Sequence, residues 1–519
     1  MAAFNEGYTK GVGDLELSFI PVRNLKVRPK SYGYEEALDL TGHGRYNRGL
    51  LLACFMVITA MGIDIFGLGI IVTAATCDLG MDLQQIGVLS SMPFAGIIVM
   101  SYPWGYLSDT RGRKLVLMWA MGGSFVSAVL SSFAPNWQTL AALRFIGSAL
   151  SSAAESATYA LLGECCTARV RARYMLLMTS ALMLTPTIYY ILGYLITKLN
   201  FSTPLLFIVY RPWRLLTLVM ALPLGLGALC LHFYAESPKF LANVGRTKEA
   251  VDVLRDMYEK NGGLGEYPVK QIYLEDGNKE EVGVFSFKSL WTQIAPLFQA
   301  PLLWRTLLLY YLTFVIYIAN NSFAIILPTI FNVFFTSYAS SDAGAGFCDL
   351  FAAGNSGNAT NEDVPITSEC VNTINDNTIW AGCAHGFSFF VLNALISQCA
   401  GKRKVMSIVI MLVAAAAAVT IDNTGEALSG LVLFYVFLTT AMVFGVVSSY
   451  FVDLYPTSYR GMVACVGMMV ARLSAFAGTN VVSRAMTDHC SSALYGAAGL
   501  LISGAVALAL LPTRDLRMT

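Results

Sequence analysis

Charge is what this chain has least of. Only 13% of its 519 residues are Asp, Glu, Lys or Arg, against about 25% in a soluble domain. So few charges cannot give a chain of this length a water-compatible surface, and lipid is the solvent that resolves the deficit. The 34 basic and 33 acidic residues leave a formal net charge of +1, so nothing points to nucleic acid or to a strongly charged partner. The 11 cysteines contain no C-x-x-C pair, which argues against a zinc site or a thioredoxin-like motif. Residues 1–47 are polar and lack the apolar core of a signal peptide. No nucleophile–base pair, phosphate-binding glycine loop or metal cluster stands out. Neither enzyme activity nor a cofactor nor a metal is expected.

Long apolar runs, in contrast, are abundant. Hydrophobic residues make up 56% of the chain and the mean hydropathy is +0.59. Runs near the roughly 20 residues that cross a bilayer as a helix recur at 49–75, 84–107, 115–134, 138–163, 174–198 and 214–234, then at 303–333, 379–398, 405–421, 428–452, 461–483 and 491–512. The pattern predicts an all-α, multi-pass membrane protein of about twelve spans. The expected organisation is an N-tail (1–48), a first six-helix bundle (49–234), a linker (235–302), a second six-helix bundle (303–512) and a C-tail (513–519). Pro93, Pro103, Pro186, Pro223 and Pro328 fall inside the runs, where neighbouring helices can re-satisfy the freed backbone groups.

Basic residues predict the orientation. Arg111, Arg113, Lys114, Arg169, Arg171, Arg173, Lys402, Arg403, Lys404 and Arg460 occupy alternate loops, on the side of both tails. The long 334–378 loop on the other side has no Lys or Arg but carries Asp342, Asp349, Glu362, Asp363, Glu369 and Asp376. By the positive-inside rule both termini are expected to be cytosolic. Within that exterior loop, Asn358-Ala359-Thr360 is a glycosylation sequon. Cys348 and Cys370 are candidates for a disulfide, with Cys77 and Cys490 as rival partners on the same side. In the linker, residues 248–260 predict an amphipathic helix with Val251, Leu254 and Met257 or Tyr258 on one face.

Two kinds of motif stand at the basic side. GYLSDTRGRK (105–114) combines Gly105, which permits close helix approach, with Asp109 at the membrane edge and Arg111, Arg113 and Lys114 beyond it. QCAGKRKV (398–405) repeats it weakly at the equivalent place of the second half, without the acid. Glu164 with Arg169 and Arg171 follows the fourth run, and Asp453 with Arg460 follows the tenth. An acid at a helix end beside an arginine of the adjacent loop can form an ion pair that clamps this side shut in one state.

Together these motifs resemble the major facilitator superfamily, whose parallel-repeat architecture would produce them. YEEALDLTGHGRYN (34–47), YRPWRLL (210–216), AESPKFLANVGRTKEA (235–250) and ILPTIF (326–331) resemble its organic-ion transporter-like branch, and within it the synaptic vesicle glycoprotein 2 group. The N-tail and exterior loop are shorter than in vertebrate members. Asn320 and Asn321 stand where sugar porters carry a Gln-Gln pair, and 181–195 lacks the Gly-Pro-Gly-Gly cluster of drug/proton antiporters.

An ionisable residue at the membrane centre costs ~2.5–3.5 kcal/mol even on the mildest scale, so those retained face a cavity or a partner. Asp64 lies in the first span, Arg144 and Glu155 in the fourth and Arg472 in the eleventh. The resemblance implies that the first, fourth, seventh and tenth spans line a central cavity, with the eleventh nearby. Asp64 and Arg144 are expected to face each other at matching depth; the alternative is a purely structural ion pair. Tyr190 and Tyr317, deep in their spans, could stack on an organic cation, and His385 reads as a packed histidine. The resemblance implies a secondary transporter moving a small organic solute, an organic ion first, by alternating access. Its partners would be that substrate, the bilayer and a coupling proton or ion, and it would act as a monomer in a plasma or secretory/synaptic vesicle membrane. A transporter-like regulatory or binding protein of such vesicles, or a sugar carrier, are the alternatives.

Overall fold

The computed structural model describes residues 31–205, 208–273, 295–300, 302–340, 346–350, 375–398, 403–455 and 457–511. Six helical spans form the first half: Arg45–Ala75, Leu83–Arg111, Arg113–Ser131, the pair Trp137–Ser151 and Ala153–Glu164, Ala168–Thr197 and Pro212–His232. The second half holds the seventh span, Leu303–Ile316 continued through Leu327–Ser340, then Asp376–Gln398, Arg403–Ile421, the pair Ala427–Leu438 and Ala441–Asp453, Thr457–Asp488 and Cys490–Leu510. Among the described residues, nine stretches are long and apolar enough by themselves to cross a membrane. The fourth, eighth and eleventh spans fall short of that test. The fourth and eleventh carry Arg144, Glu155, Arg472 and Arg484, and the eighth is diluted by polar residues.

Several helices outrun their apolar runs because the hydrogen-bond ladder continues through the polar interface. The first starts at Arg45, the second reaches Arg111, and the seventh reaches Ser340, so 334–340 is helix and not loop. Apolar side chains such as Leu52, Val99, Trp119 and Val481 point outward and are well exposed, as a lipid-facing belt requires. Inside, contacts are close. Gly96 lies against the backbone of Phe145, so that the second and fourth spans touch main chain to main chain.

The tail and linker dock on the basic end of the first half. A short parallel strand pair joins Ser31–Gly33 to Gln271–Tyr273. Helix Thr247–Lys260 buries Ala250, Val251, Leu254 and Met257, so Met257 and not Tyr258 completes its apolar face. Asn261 ties the layer together: its side chain accepts from the Tyr46 amide at 3.1 Å and donates to Thr41 O and Asn47 Oδ1. Tyr34 donates to the carbonyl of Glu164 at 2.6 Å, and burial raises its hydroxyl well above the usual tyrosine range, which keeps it a donor.

Candidate functional site

Four spans are interrupted, and they are the first, fourth, seventh and tenth. The breaks fall at Gly67, at Ser152, in a π-helical turn over Tyr317–Asn321, and at Thr439–Thr440. The other eight spans are each one continuous helix. Local loosening of a membrane helix is tolerated only where protein or a water-filled cavity receives the freed groups, and π-turns concentrate at functional sites. Two of the four interrupted spans carry Asp64, Arg144 and Glu155.

The intramembrane charges form two pairs. Asp64 Oδ1 and Arg144 Nη1 are 2.8 Å apart, with side chains only 3% and 4% exposed. Ser151 donates to the other carboxylate oxygen at 3.4 Å. Glu155 of the fourth span meets Arg472 of the eleventh at 2.5 Å, which joins the two halves. Arg472 is 6% exposed there while Glu155 is 27% exposed. Tyr317 lies in the electrostatic reach of both and packs edge-on against Phe444. Beside it in the π-turn, Asn320 donates to Asn321 Oδ1 at 3.0 Å.

Tyr190 is placed differently. It is fully buried against Gly382 of the eighth span, in a contact between the halves and not on a cavity wall. More such contacts lie at the same end. Thr73 and Thr329 share a hydrogen bond of 2.8 Å, Asn480 donates to Ser91 at 2.9 Å, and Lys198 meets Asp376 at 2.6 Å. Gly69 lies against Ile325 O and Gly87 against Ser483. All are remote from the basic loops.

At that basic end the acids pair within the first half. Arg113 reaches Asp109 and Glu164, each at 3.2 Å, and its guanidinium lies 5.1 Å from the Phe240 ring centre. Glu164 is thus held by Arg113 and Ser237 and not by Arg169, which is exposed like Arg111. Arg171 pairs instead with Glu35 of the tail at 2.9 Å. Among the described residues, an added Cβ at Gly105 would meet nothing within 4 Å. The side chains of Asp453 and Arg460 lie outside the described residues, as do Asn358 and Cys370. Cys348 is bonded to Cys490, with Cα atoms 5.7 Å apart, which corrects the Cys348–Cys370 pairing. Cys77 is disulfide-bonded as well.

Other functional positions escaped the reading of motifs. Glu236 accepts from the amides of Lys114 and Leu115 and so caps the third span, whose N-cap residue Gly112 has φ +113°, and it also accepts from the Ser237 amide, at 2.9–3.3 Å. The only signal was an acid in AESPKF, far away in sequence. At the opposite end, Asp78 meets Arg211 at 3.0 Å and the Trp213 indole at 2.9 Å. Arg214 donates to the carbonyls of Ser132 and Ala134. The YRPWRLL tract thereby closes the loops of the first half.

Known proteins share the fold. The xylose transporter XylE from E. coli, in a partially occluded inward-open conformation, superposes with a TM-score of 0.63 at 13% identity, over 90% of this chain and 100% of that one. A D-xylose-proton symporter gives 0.61 at 12% identity, over 89% and 97%; identities this low speak for the fold alone. Synaptic vesicle glycoprotein 2C of Mus musculus is 26% identical over 233 residues, 44% of this chain. That match spans about a third (32%) of the relative's own length. Synaptic vesicle 2-related protein of Xenopus laevis is 23% identical over 510 residues, 95% of this chain and 83% of the relative. Residues 52–479 match the model of the Major Facilitator Superfamily. With the interrupted first, fourth, seventh and tenth spans at its centre, the chain belongs to the major facilitator superfamily.

Proposed function

We propose that the protein is a secondary transporter that moves a small organic ion across its membrane by alternating access. One observation carries this reading: acids and arginines face each other at mid-depth and one of these pairs joins the halves, with further contacts between the halves at the end away from the basic loops. A mid-depth site closed to one side is what a rocking-bundle carrier presents in one of its two states. The positive-inside rule puts the tails, linker and basic loops in the cytosol, so these further contacts lie on the exterior side, as an inward-facing state requires. The likeness to an inward-open carrier supports the same assignment. Asn358 would then carry a glycan on the exterior loop. In the opposite state Asp109, Arg111, Arg113, Glu164, Arg169, Asp453 and Arg460 would close the cytosolic side.

Reconstitution into proteoliposomes tests the proposal. Labelled organic ions should enter, and should enter faster when unlabelled substrate is loaded inside. Binding without such counterflow would refute transport and favour a vesicle binding protein, the role that the names of the synaptic vesicle relatives bring to mind.

A further inference from the structure

The fifth and sixth spans are joined, at the end away from the basic loops, by a connection with charge only at its two ends. Lys198 turns to Asp376 and Arg211 to Asp78, and residues 199–210 between them contain no Asp, Glu, Lys, Arg or His. Within it stands a hairpin of two short antiparallel strands, Thr203–Leu205 and Ile208–Tyr210. Directly opposed residues of such a pair share a face, so Thr203, Leu205, Ile208 and Tyr210 are on one side and Pro204 and Val209 on the other. Tyr210 turns its side towards the helices. Its ring centre lies 5.9 Å from that of Phe133 and 6.4 Å from that of Phe201, and its hydroxyl shares a hydrogen bond of 3.1 Å with Ser132. A hairpin standing in water would set polar residues on the outer side. This one sets Pro204 and Val209 there.

Val209 is 38% exposed, and Leu205, near the hairpin tip, is 43% exposed. The surfaces that lead up to them are the lipid-facing ones. Ile191 and Leu195 of the fifth span, with Leu199 just past it, form an exposed apolar row that ends at the hairpin. Leu130 and Phe133 of the third span form a second row, which meets the hairpin at Tyr210. We propose that the hairpin lies in the headgroup layer of the adjoining leaflet, with Leu205 and Val209 against acyl chains, and anchors these ends of the fifth and sixth spans to lipid. The outer strand edges set the depth: unpaired backbone groups cannot enter hydrocarbon, whereas the headgroup layer still holds water for them. That layer is also where amphipathic rings such as Tyr210 gather.

A protein partner fits this surface less well. Pro204, Leu205 and Val209 present no side-chain donor or acceptor by which a partner would be selected. Pro204, at the centre of its strand, also has no N–H to offer an added strand. A leaflet needs only apolar area. The fifth span carries Tyr190 and leads into Lys198, and both meet the eighth span, so the leaflet sets the level at which that seam between the halves closes. An anchor of this kind serves a carrier and a binding protein alike, and its test is separate from that of transport.

Purified full-length protein, a single copy per phosphatidylcholine nanodisc, is labelled with an environment-sensitive fluorophore at Val209→Cys and, separately, at Leu205→Cys. Wild-type protein labelled in parallel corrects for native thiols. Leu130→Cys marks a lipid-facing position near the same end of the third span, and Glu426→Cys an exposed loop position that faces water. Both hairpin probes should be quenched by lipid carrying a nitroxide near its headgroup, as strongly as at Leu130→Cys. Iodide in the buffer should quench them severalfold less than at Glu426→Cys. If one variant fails to fold, the other decides. Iodide quenching at a folded hairpin variant as strong as at Glu426→Cys overturns the proposal. Shielding from both quenchers that appears only with two copies per disc overturns it too, since the hairpin would then belong to an interface between copies.

Discussion

Removing the charge of Asp64 while keeping its shape isolates what the first pair contributes. Two unit charges 2.8 Å apart attract by about 6 kcal/mol at an effective dielectric of about 20. Part of that offsets desolvation, and experience with buried pairs puts the cost of deleting one partner at about 3–5 kcal/mol. Asp64→Asn should therefore lose about 3–5 kcal/mol of stability, because Arg144 already has Nε and Nη2 without partners. Arg144→Gln should lose a similar amount, and the double variant far less than the sum. The assay is a double-mutant cycle on unfolding of the purified protein in detergent, joined to vesicle uptake. If the pair also serves coupling, a folded double variant should still exchange bound substrate but fail to accumulate it against a proton gradient. Additive losses, or an Asp64→Asn variant within about 0.5 kcal/mol of the wild type, would refute the electrostatic reasoning.

Three further outcomes follow from the same geometry. Gly69→Val would drive its Cβ to 2.5 Å from the carbonyl oxygen of Ile325, so the end away from the basic loops should fail to close. Cysteine probes along 73–76 should then become accessible from that side, and unchanged accessibility would count against the contact as a gate. Glu236→Ala strips the cap from three backbone amides and should cost about 1–2 kcal/mol of thermal stability, with Glu236→Gln recovering part of it; equal stability of all three proteins would show that the cap is idle. Non-reducing peptide mapping should recover Cys348 joined to Cys490, and a Cys348–Cys370 peptide would contradict the structure.

Much of the architecture was legible along the chain. Apolar run length sets the number of crossings because each crossing must satisfy its own backbone inside lipid. The basic loops mark one side for a similarly local reason. The matching depths of Asp64 and Arg144 could be counted residue by residue, since helical rise is nearly constant. The amphipathic linker helix was visible too, because a water-exposed helix must segregate its faces.

Partners across the fold were a different matter. Glu155 and Arg472 are 317 positions apart and stand on helices whose flanks are apolar on nearly every face, so periodicity does not tell which way either points. Tyr190 looked like a cavity residue by depth, yet the rotation of the fifth span turns it into Gly382. Glu164 stands next to the 169–173 arginines in sequence, yet it pairs with Arg113, which the docked linker and Glu236 position. What the sequence by itself determined was the set of helices, their depth and the side on which their charges lie, all consequences of each segment meeting lipid or water. Which charges meet, which cysteines join and which residues of the two halves touch were decided only by the tertiary structure. Those depend on how each helix is rotated and tilted against its neighbours, and lipid, equally content with any apolar face, does not dictate that choice.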